Sequence, residues 1–138
     1  PYTSSAASDV YKRQIVYFVL DLNMRNKDVR WFVNKLEQLI INTLLDFNIN
    51  SKRRESLPGV WVQNKNGINK IGAVGIRISK WIAYHGISIN INPDLSKYEG
   101  IIPCGVTDAG VTSVSDLGYS FSFKDFDNSL ALNFEKLF

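Results

Sequence analysis

One cysteine and one histidine are all that the 138 residues offer of the two side chains most used in nucleophilic and metal chemistry. A single cysteine excludes an internal disulfide, so nothing in the chain argues for secretion. No apolar run approaches the roughly 20 residues that a helix needs to cross a bilayer. The first residues lack the long apolar core of a signal peptide. There is no cluster with metal-ligand spacing and no glycine-rich phosphate loop. Excess charge is also scarce. The formal net charge of +3 is scattered along the chain. It permits attraction to an acidic protein partner without demanding nucleic acid. These absences leave the expectation of a cytoplasmic protein with no membrane and no nucleic-acid partner.

What is present is an ordinary globular composition, 45% hydrophobic and 21% charged. The length suits one domain. Such a chain buries about two-thirds of the surface that its unfolded form exposes. Residues 1–13 differ in kind: they are small and polar, without sustained periodicity. They read as a leader foreign to the domain or as a disordered tail. The domain's own pattern runs over residues 14–138.

Residues 15–22 form a nearly continuous apolar run, which predicts a strand buried on both faces. From Val29 to Phe47 apolar residues recur at spacings of three and four, so residues 28–47 read as an amphipathic helix capped by Asp28. Trp31, beside that stripe, reads as packing. A short strand over residues 49–53 leads into the basic cluster Lys52-Arg53-Arg54, either a solvated face or a contact for an acidic partner. Val60-Trp61-Val62 is a strand, Asn64-Lys65-Asn66-Gly67 a hairpin turn, and residues 68–79 and 83–92 are two longer strands. Alternation in the second puts Ile87, Ile89 and Ile91 on one face and Gly86, Ser88, Asn90 and Asn92 on the other. Gly72 and Gly75 interrupt the first, as at a place where a ligand or another backbone comes close. Together these strands outline a slot with polar walls, or else a solvent-facing sheet surface with glycine bulges. Pro93 to Tyr98 reads as a turn, residues 112–118 as a loop, and residues 124–136 as a helix whose start Asp125 and Asp127 favour.

Cys104 lies between Pro103 and Gly105, on a tight bend that can present its sulfur. A thiol with a pKa near 8.5 is mostly protonated at neutral pH, and a neighbouring ammonium favours the reactive thiolate. Lys70 opens a strand whose neighbour leads toward Cys104. His85 is the other candidate partner, but it precedes a glycine inside a strand, on the Ile87 face if alternation holds. It reads as a brace for the site.

Four stretches in order carry a family signature: Lys70-Ile71-Gly72-Ala73-Val74-Gly75-Ile76-Arg77, Tyr84-His85-Gly86, Asn90-Ile91-Asn92-Pro93-Asp94-Leu95-Ser96 and Ile102-Pro103-Cys104-Gly105. With Gly59-Val60-Trp61-Val62 and Thr112-Ser113-Val114, they closely resemble the octanoyltransferases of lipoate synthesis, from about residue 14 to 138. The resemblance implies an α+β fold, a mixed sheet flanked by helices like that of the biotin and lipoate protein ligases. It implies that Cys104 takes octanoate from its thioester on acyl carrier protein and passes it to a lysine. The acceptors would be lipoyl domains of 2-oxoacid dehydrogenases and the glycine cleavage H protein. Lys70 would lower the Cys104 pKa and move the protons. Ala73, Val74 and Gly75 would line the acyl pocket with Gly86, Ile87 and Ser88. No cofactor is implied, because the thioester is already activated.

The family also carries an upstream Arg-Gly-Gly…Thr-x-His-Gly-Pro-Gly-Gln loop, and this chain enters that pattern only at Gln14. The resemblance therefore implies a domain incomplete at its N-terminus, weakly active or inactive, with sheet edge or apolar surface exposed. Two other readings fit the same residues. A lipoate or biotin ligase relative would use ATP and no covalent cysteine. A non-catalytic module would grip lipoyl domains or acyl carrier protein.

Overall fold

The computed structural model describes residues 2–6, 13–65, 67–92 and 110–138. Within them, one sheet carries two helices on a single face. The strands are β1 (Tyr2–Ala6), β2 (Arg13–Phe18), β3 (Leu20–Asp21), β4 (Lys52–Arg54), β5 (Leu57–Asn64), β6 (Gly67–Ser79), β7 (Ile82–Asn90) and β8 (Gly110–Val111). The helices are α1 (Val29–Asp46) and α2 (Phe123–Leu137). The sheet order is β1-β2-β7-β6-β5-β4, with β3 beside β7 and β8 beside β6. Every pairing is antiparallel except β6 with β8, so the sheet is mixed, as expected. Tyr2–Ala6, read from the sequence as part of a leader, pairs with β2.

The helices form where caps and apolar spacing coincide. The Asp28 carboxylate accepts from the Trp31 N–H at 3.0 Å, and the Ser122 hydroxyl accepts from the Asp125 N–H at 3.0 Å. Phe32, Leu36, Leu39, Ile40 and Leu44 of α1 are buried, as are Phe126, Leu130 and Phe134 of α2. They cover Val16, Phe18, Val60, Ile87 and Ile89 of the sheet in one core. Phe18 meets Phe32 edge-on at 5.9 Å, and Phe47, Phe121 and Phe126 stack at the far end of α1. Trp31 packs against this core and meets Phe138 edge-on at 6.5 Å.

One expectation needs correction here. The apolar run at residues 15–22 is not buried on both faces. It divides into β2 and β3, with Gln14, Val16 and Phe18 buried, Tyr17 44% exposed and Val19 60% exposed. The helices cover only one side of the sheet, so alternate residues of an apolar strand face the open side.

Two glycines are fixed by the close approach of a neighbouring element. A Cβ on Gly72 would press on the Ile40 side chain at 3.2 Å, so its absence lets α1 settle on β6. A Cβ on Gly86 would overlap the Val16 carbonyl oxygen. β2 and β7 can therefore pair at Tyr17–Gly86 only with glycine there. Among the described residues, no helix is long and apolar enough to cross a membrane.

Two outcomes follow from this packing. Gly86→Ala should lose about 3 kcal/mol of stability in urea titrations, because backbone and not a flexible side chain must yield. Gly75→Ala, whose Cβ would meet nothing within 4 Å, should be neutral or gain up to about 1 kcal/mol. The second outcome concerns acid. Asp46 joins the helices, accepting from Ser129 Oγ at 2.7 Å and Asn133 Nδ2 at 2.9 Å. The Ser129 and Asn133 hydrogen bonds, with help from Lys136, hold its carboxyl below the usual carboxylate range. A depressed folded-state pKa gives stability that is present above the unfolded pKa of about 3.9 and is lost as pH falls through the folded value. Asp46→Asn should therefore lower stability at pH 7, differ little from the unaltered protein once the pH lies below the folded value, and so flatten the acid limb of a stability-against-pH curve.

Candidate functional site

Lys70 and Ala73 lie an odd number of positions apart, which in a regular strand puts them on opposite faces. The register of β5 against β6 changes that. Val60 pairs with Gly72, but Trp61 pairs with Lys70, so one extra residue, Ile71, stands in β6. Such a bulge advances the strand by one position and reverses the alternation beyond it. Gly72 lies on the helix-covered face with Val60, so Lys70 lies with Trp61 on the outer face. Ala73 and Gly75 follow Gly72 in alternation and share that outer face.

Lys70 is half-buried there. Its Nζ lies 5.6 Å from the centroid of the Trp61 ring, and the Arg54 guanidinium carbon lies 5.0 Å from the same ring. Behind them Glu37, 5% exposed on α1, accepts from the Gly59 N–H at 3.0 Å with one oxygen and meets Arg53 Nε at 3.1 Å with the other. Arg53 also donates to the Asn34 carbonyl at 2.7 Å and to Gln38 at 3.0 Å. Of the cluster Lys52-Arg53-Arg54, then, Arg53 is tied into this chain and Arg54 rests on Trp61, while Lys52 is exposed.

Farther along β6, from Ala73, lies a groove of about 220 Å³. It is lined by Ala73, Val74 and Gly75 of β6, by His85, Gly86, Ile87 and Ser88 of β7, and by Ile15 and Tyr17 of β2. Cross-strand pairing explains the set: Ala73 faces Ser88, Val74 faces Ile87 and Gly75 faces Gly86, while Ile15 faces Ser88 on the other side of β7. The small Ala73, Gly75, Gly86 and Ser88 of β6 and β7 leave the hollow, with Ile15 and Tyr17 of β2 along one side. All six residues expected to line a slot are thus neighbours.

His85 departs from the alternation read from sequence. His85 has φ 72 and is exposed, while Ala83 and Ile87 are buried. Its ring lies 5.1 Å from that of Tyr84, a contact that consecutive residues of a regular strand, pointing oppositely, do not make. The left-handed backbone therefore takes His85 off the buried Ile87 face. Asn90 was expected on the polar wall of the slot. It lies on the face opposite Ile89, beside its register partner Arg13, and is 8% exposed there, accepting from Arg13 Nε at 2.9 Å and donating to the Thr112 carbonyl at 3.1 Å.

That last bond belongs to a latch. Beyond Ile89, β7 no longer pairs with β6, and β8 takes its place, setting Gly110 beside Asn69 and Val111 beside Lys70. The Thr112 N–H donates to the Lys70 carbonyl at 2.9 Å, and Val114 and Ser115 donate to the carbonyls of Asn90 and Ile91. Cys104 and the turn expected at Pro93–Tyr98 lie outside the described residues. So does Asn66 of the hairpin turn, whose flanks Asn64 and Gly67 pair as expected.

Sequence reasoning passed over Glu37, Gly59, Trp61 and the bulge as parts of this site. Glu37 did leave a signal: a charge three residues before Ile40 and four after Val33, inside the apolar stripe. The bulge left none, since it exists only in the register of two strands.

With this geometry in view, the likeness to known proteins has a structural content. A profile of the lipoyl protein ligase A/B catalytic domain matches residues 12–135. The octanoyltransferase of Bartonella quintana is 47% identical, over 91% of this chain and 55% of its own length. That of Bartonella bacilliformis is 49% identical, over 91% and 56%, and that of Rhodospirillum rubrum 46%, over 91% and 59%. The chain thus spans little more than half the length of these curated relatives. Among solved structures, apo biotin protein ligase from Aquifex aeolicus superposes with a TM-score of 0.74 at 16% identity, over 99% of this chain and 57% of its own. The bipartite lipoate protein ligase of Thermoplasma acidophilum gives 0.64 at 17%, over 91% and 50%. At such identities the likeness is one of fold, and it is the biotin and lipoate ligase fold expected from the sequence. The chain belongs to the lipoyl protein ligase A/B catalytic-domain family.

Proposed function

We propose that this domain is an octanoyltransferase. It moves an octanoyl group from acyl carrier protein to a lysine of a lipoyl domain, through a thioester on Cys104. The observation that carries the reading is the Ile71 bulge, which sets Lys70 on the same sheet face as a groove with small walls. The names of the curated relatives support the acyl group and the reaction class.

The resting pair is a Cys104 thiolate and a Lys70 ammonium. The thiolate attacks the thioester carbonyl, and the bond from that carbon to the carrier sulfur breaks. The departing carrier thiolate takes a proton from Lys70, leaving an acylated Cys104 and a neutral Lys70 amine. The lysine of the lipoyl domain then attacks the acyl carbon. The bond to Cys104 breaks and the thiolate is restored. The surplus proton of the new amide nitrogen passes to Lys70, which returns to its ammonium form. Ala73, Gly75, Gly86 and Ser88 leave room for the alkyl chain. Backbone N–H groups near them can hold the carbonyl oxygen as charge develops on it. A free carboxylate, the acyl donor of the ligase reaction, needs activation; a thioester does not, so Cys104 and Lys70 suffice for both halves of the transfer.

The partners follow from the reaction: octanoyl-acyl carrier protein as donor and the lipoyl domains of 2-oxoacid dehydrogenases and glycine cleavage H protein as acceptors. Incubation with octanoyl-acyl carrier protein and intact mass measurement tests the proposal. It should be run on the 138-residue chain and on a form extended to the relatives' length. An octanoyl adduct is expected, faster in the extended form, and absent from Cys104→Ala in both. Lys70→Met should slow acylation about a hundredfold or more, the usual worth of a positioned proton donor. ATP-dependent transfer that survives Cys104→Ala would point instead to a ligase, and carrier binding with no adduct in the extended form to a binding module.

A further inference from the structure

Resting on the Cys104/Lys70 reading above, we infer that Gly59 and Trp61 are positioning residues that seat the Lys70 ammonium. They alternate along β5, so both lie on the outer face. Trp61 is the register partner of Lys70, and its ring lies under the lysine, with Nζ 5.6 Å from the centroid. Gly59 comes next along the same face. A Cβ there would stand 2.5 Å from Lys70 Cε and 3.1 Å from Nζ. The end of the lysine side chain therefore fills the volume that any other residue at position 59 would claim.

Neither residue is what strand stability alone would select. Gly59 has φ 110, a conformation that weakens a strand and that only glycine adopts readily. Trp61 is fully buried, yet its indole N–H has no hydrogen-bond partner among the described residues. An unpaired buried donor is destabilising, and phenylalanine would remove it. What tryptophan supplies in return is the most electron-rich ring face for a cation. Departures from local rules of this kind gather at functional sites.

The seat is also braced from behind. The Gly59 N–H donates to buried Glu37, whose other oxygen is held by Arg53, so β5 cannot swing away from the lysine. Arg54 lies on the same indole from the β4 side, a like charge that disfavours movement of Lys70 in that direction. The ammonium is thereby held between the indole and Gly59 of β5.

A lysine held in place lowers the pKa of a neighbouring thiol; a lysine displaced by a methyl group or released from its ring does so less. The test is the pH profile of Cys104 alkylation by iodoacetamide on the whole chain. It compares the unaltered protein with Lys70→Met, Gly59→Ala, Trp61→Phe and the double variant Gly59→Ala/Lys70→Met. Lys70→Met should move the profile up by about one pH unit or more, a tenfold loss of rate below the midpoint. Gly59→Ala and Trp61→Phe should move it part of that way, and the double variant should match Lys70→Met, which separates loss of the lysine's seat from the pressure of the same Cβ on the Gly72 carbonyl oxygen, 2.8 Å away. Where Gly59→Ala does not fold, Trp61→Phe carries the test. An unmoved profile in the folded variants, with Lys70→Met displaced, would overturn the inference and leave the role of Lys70 standing. An unmoved profile in Lys70→Met itself would remove the Cys104/Lys70 pair and this inference with it.

Discussion

A single extra residue in one strand decides which way Lys70 faces. Without Ile71 as a bulge, the lysine would point with Gly72 toward the α1 helix and its apolar core, where an ammonium has no solvent and no groove. With it, Lys70 joins Trp61, Ala73 and Gly75 on the face that the helices leave open. The bulge is held on both sides. β5 pairs up to it from one edge, and from the other Thr112 donates to the carbonyl of Lys70 itself. The segment that follows Cys104 in sequence is therefore hydrogen-bonded to the residue proposed as the partner of Cys104.

The glycines of the two central strands divide by cause. Gly72 makes room for Ile40 and Gly86 for the backbone of β2, so both answer to the fold. Among the described residues Gly75 makes room for nothing within 4 Å, and its φ is not in the left-handed region. A residue that weakens a strand without serving its packing leaves free space, and that space is the floor of the groove. The proposed acyl site is thus built from one glycine that function explains and one, Gly86, that structure demands and function then uses.

Much of this was legible in the chain. The helical stripes from Val29 to Phe47 and from Phe126 to Phe134 gave both helices, because capping and spacing agree there. The hairpin and the two long strands were legible from turn chemistry and alternation. Linked motifs gave the family. Three features were not legible, for one shared reason: each depends on how two segments meet. The reversal at Ile71 lies in strand register. The left-handed backbone at His85 lies in a strand that otherwise alternates. The exposure of Tyr17 and Val19 depends on helices packing on one face only. The basic cluster was legible in part. Arg53 is exposed, as a solvated face implies, but its tie to the buried Glu37, sixteen residues earlier, was not visible in the chain.

The most direct measurement places the Cys104 sulfur relative to this face. A nitroxide attached to Cys104 relaxes nearby amide protons in an NMR spectrum of the labelled chain. The account predicts the strongest broadening at Lys70, Ala73, Gly75, Gly86 and Ser88, with the buried face of α1 spared behind the sheet. Broadening centred on α1 or α2, with Lys70 and Ala73 unaffected, would contradict it.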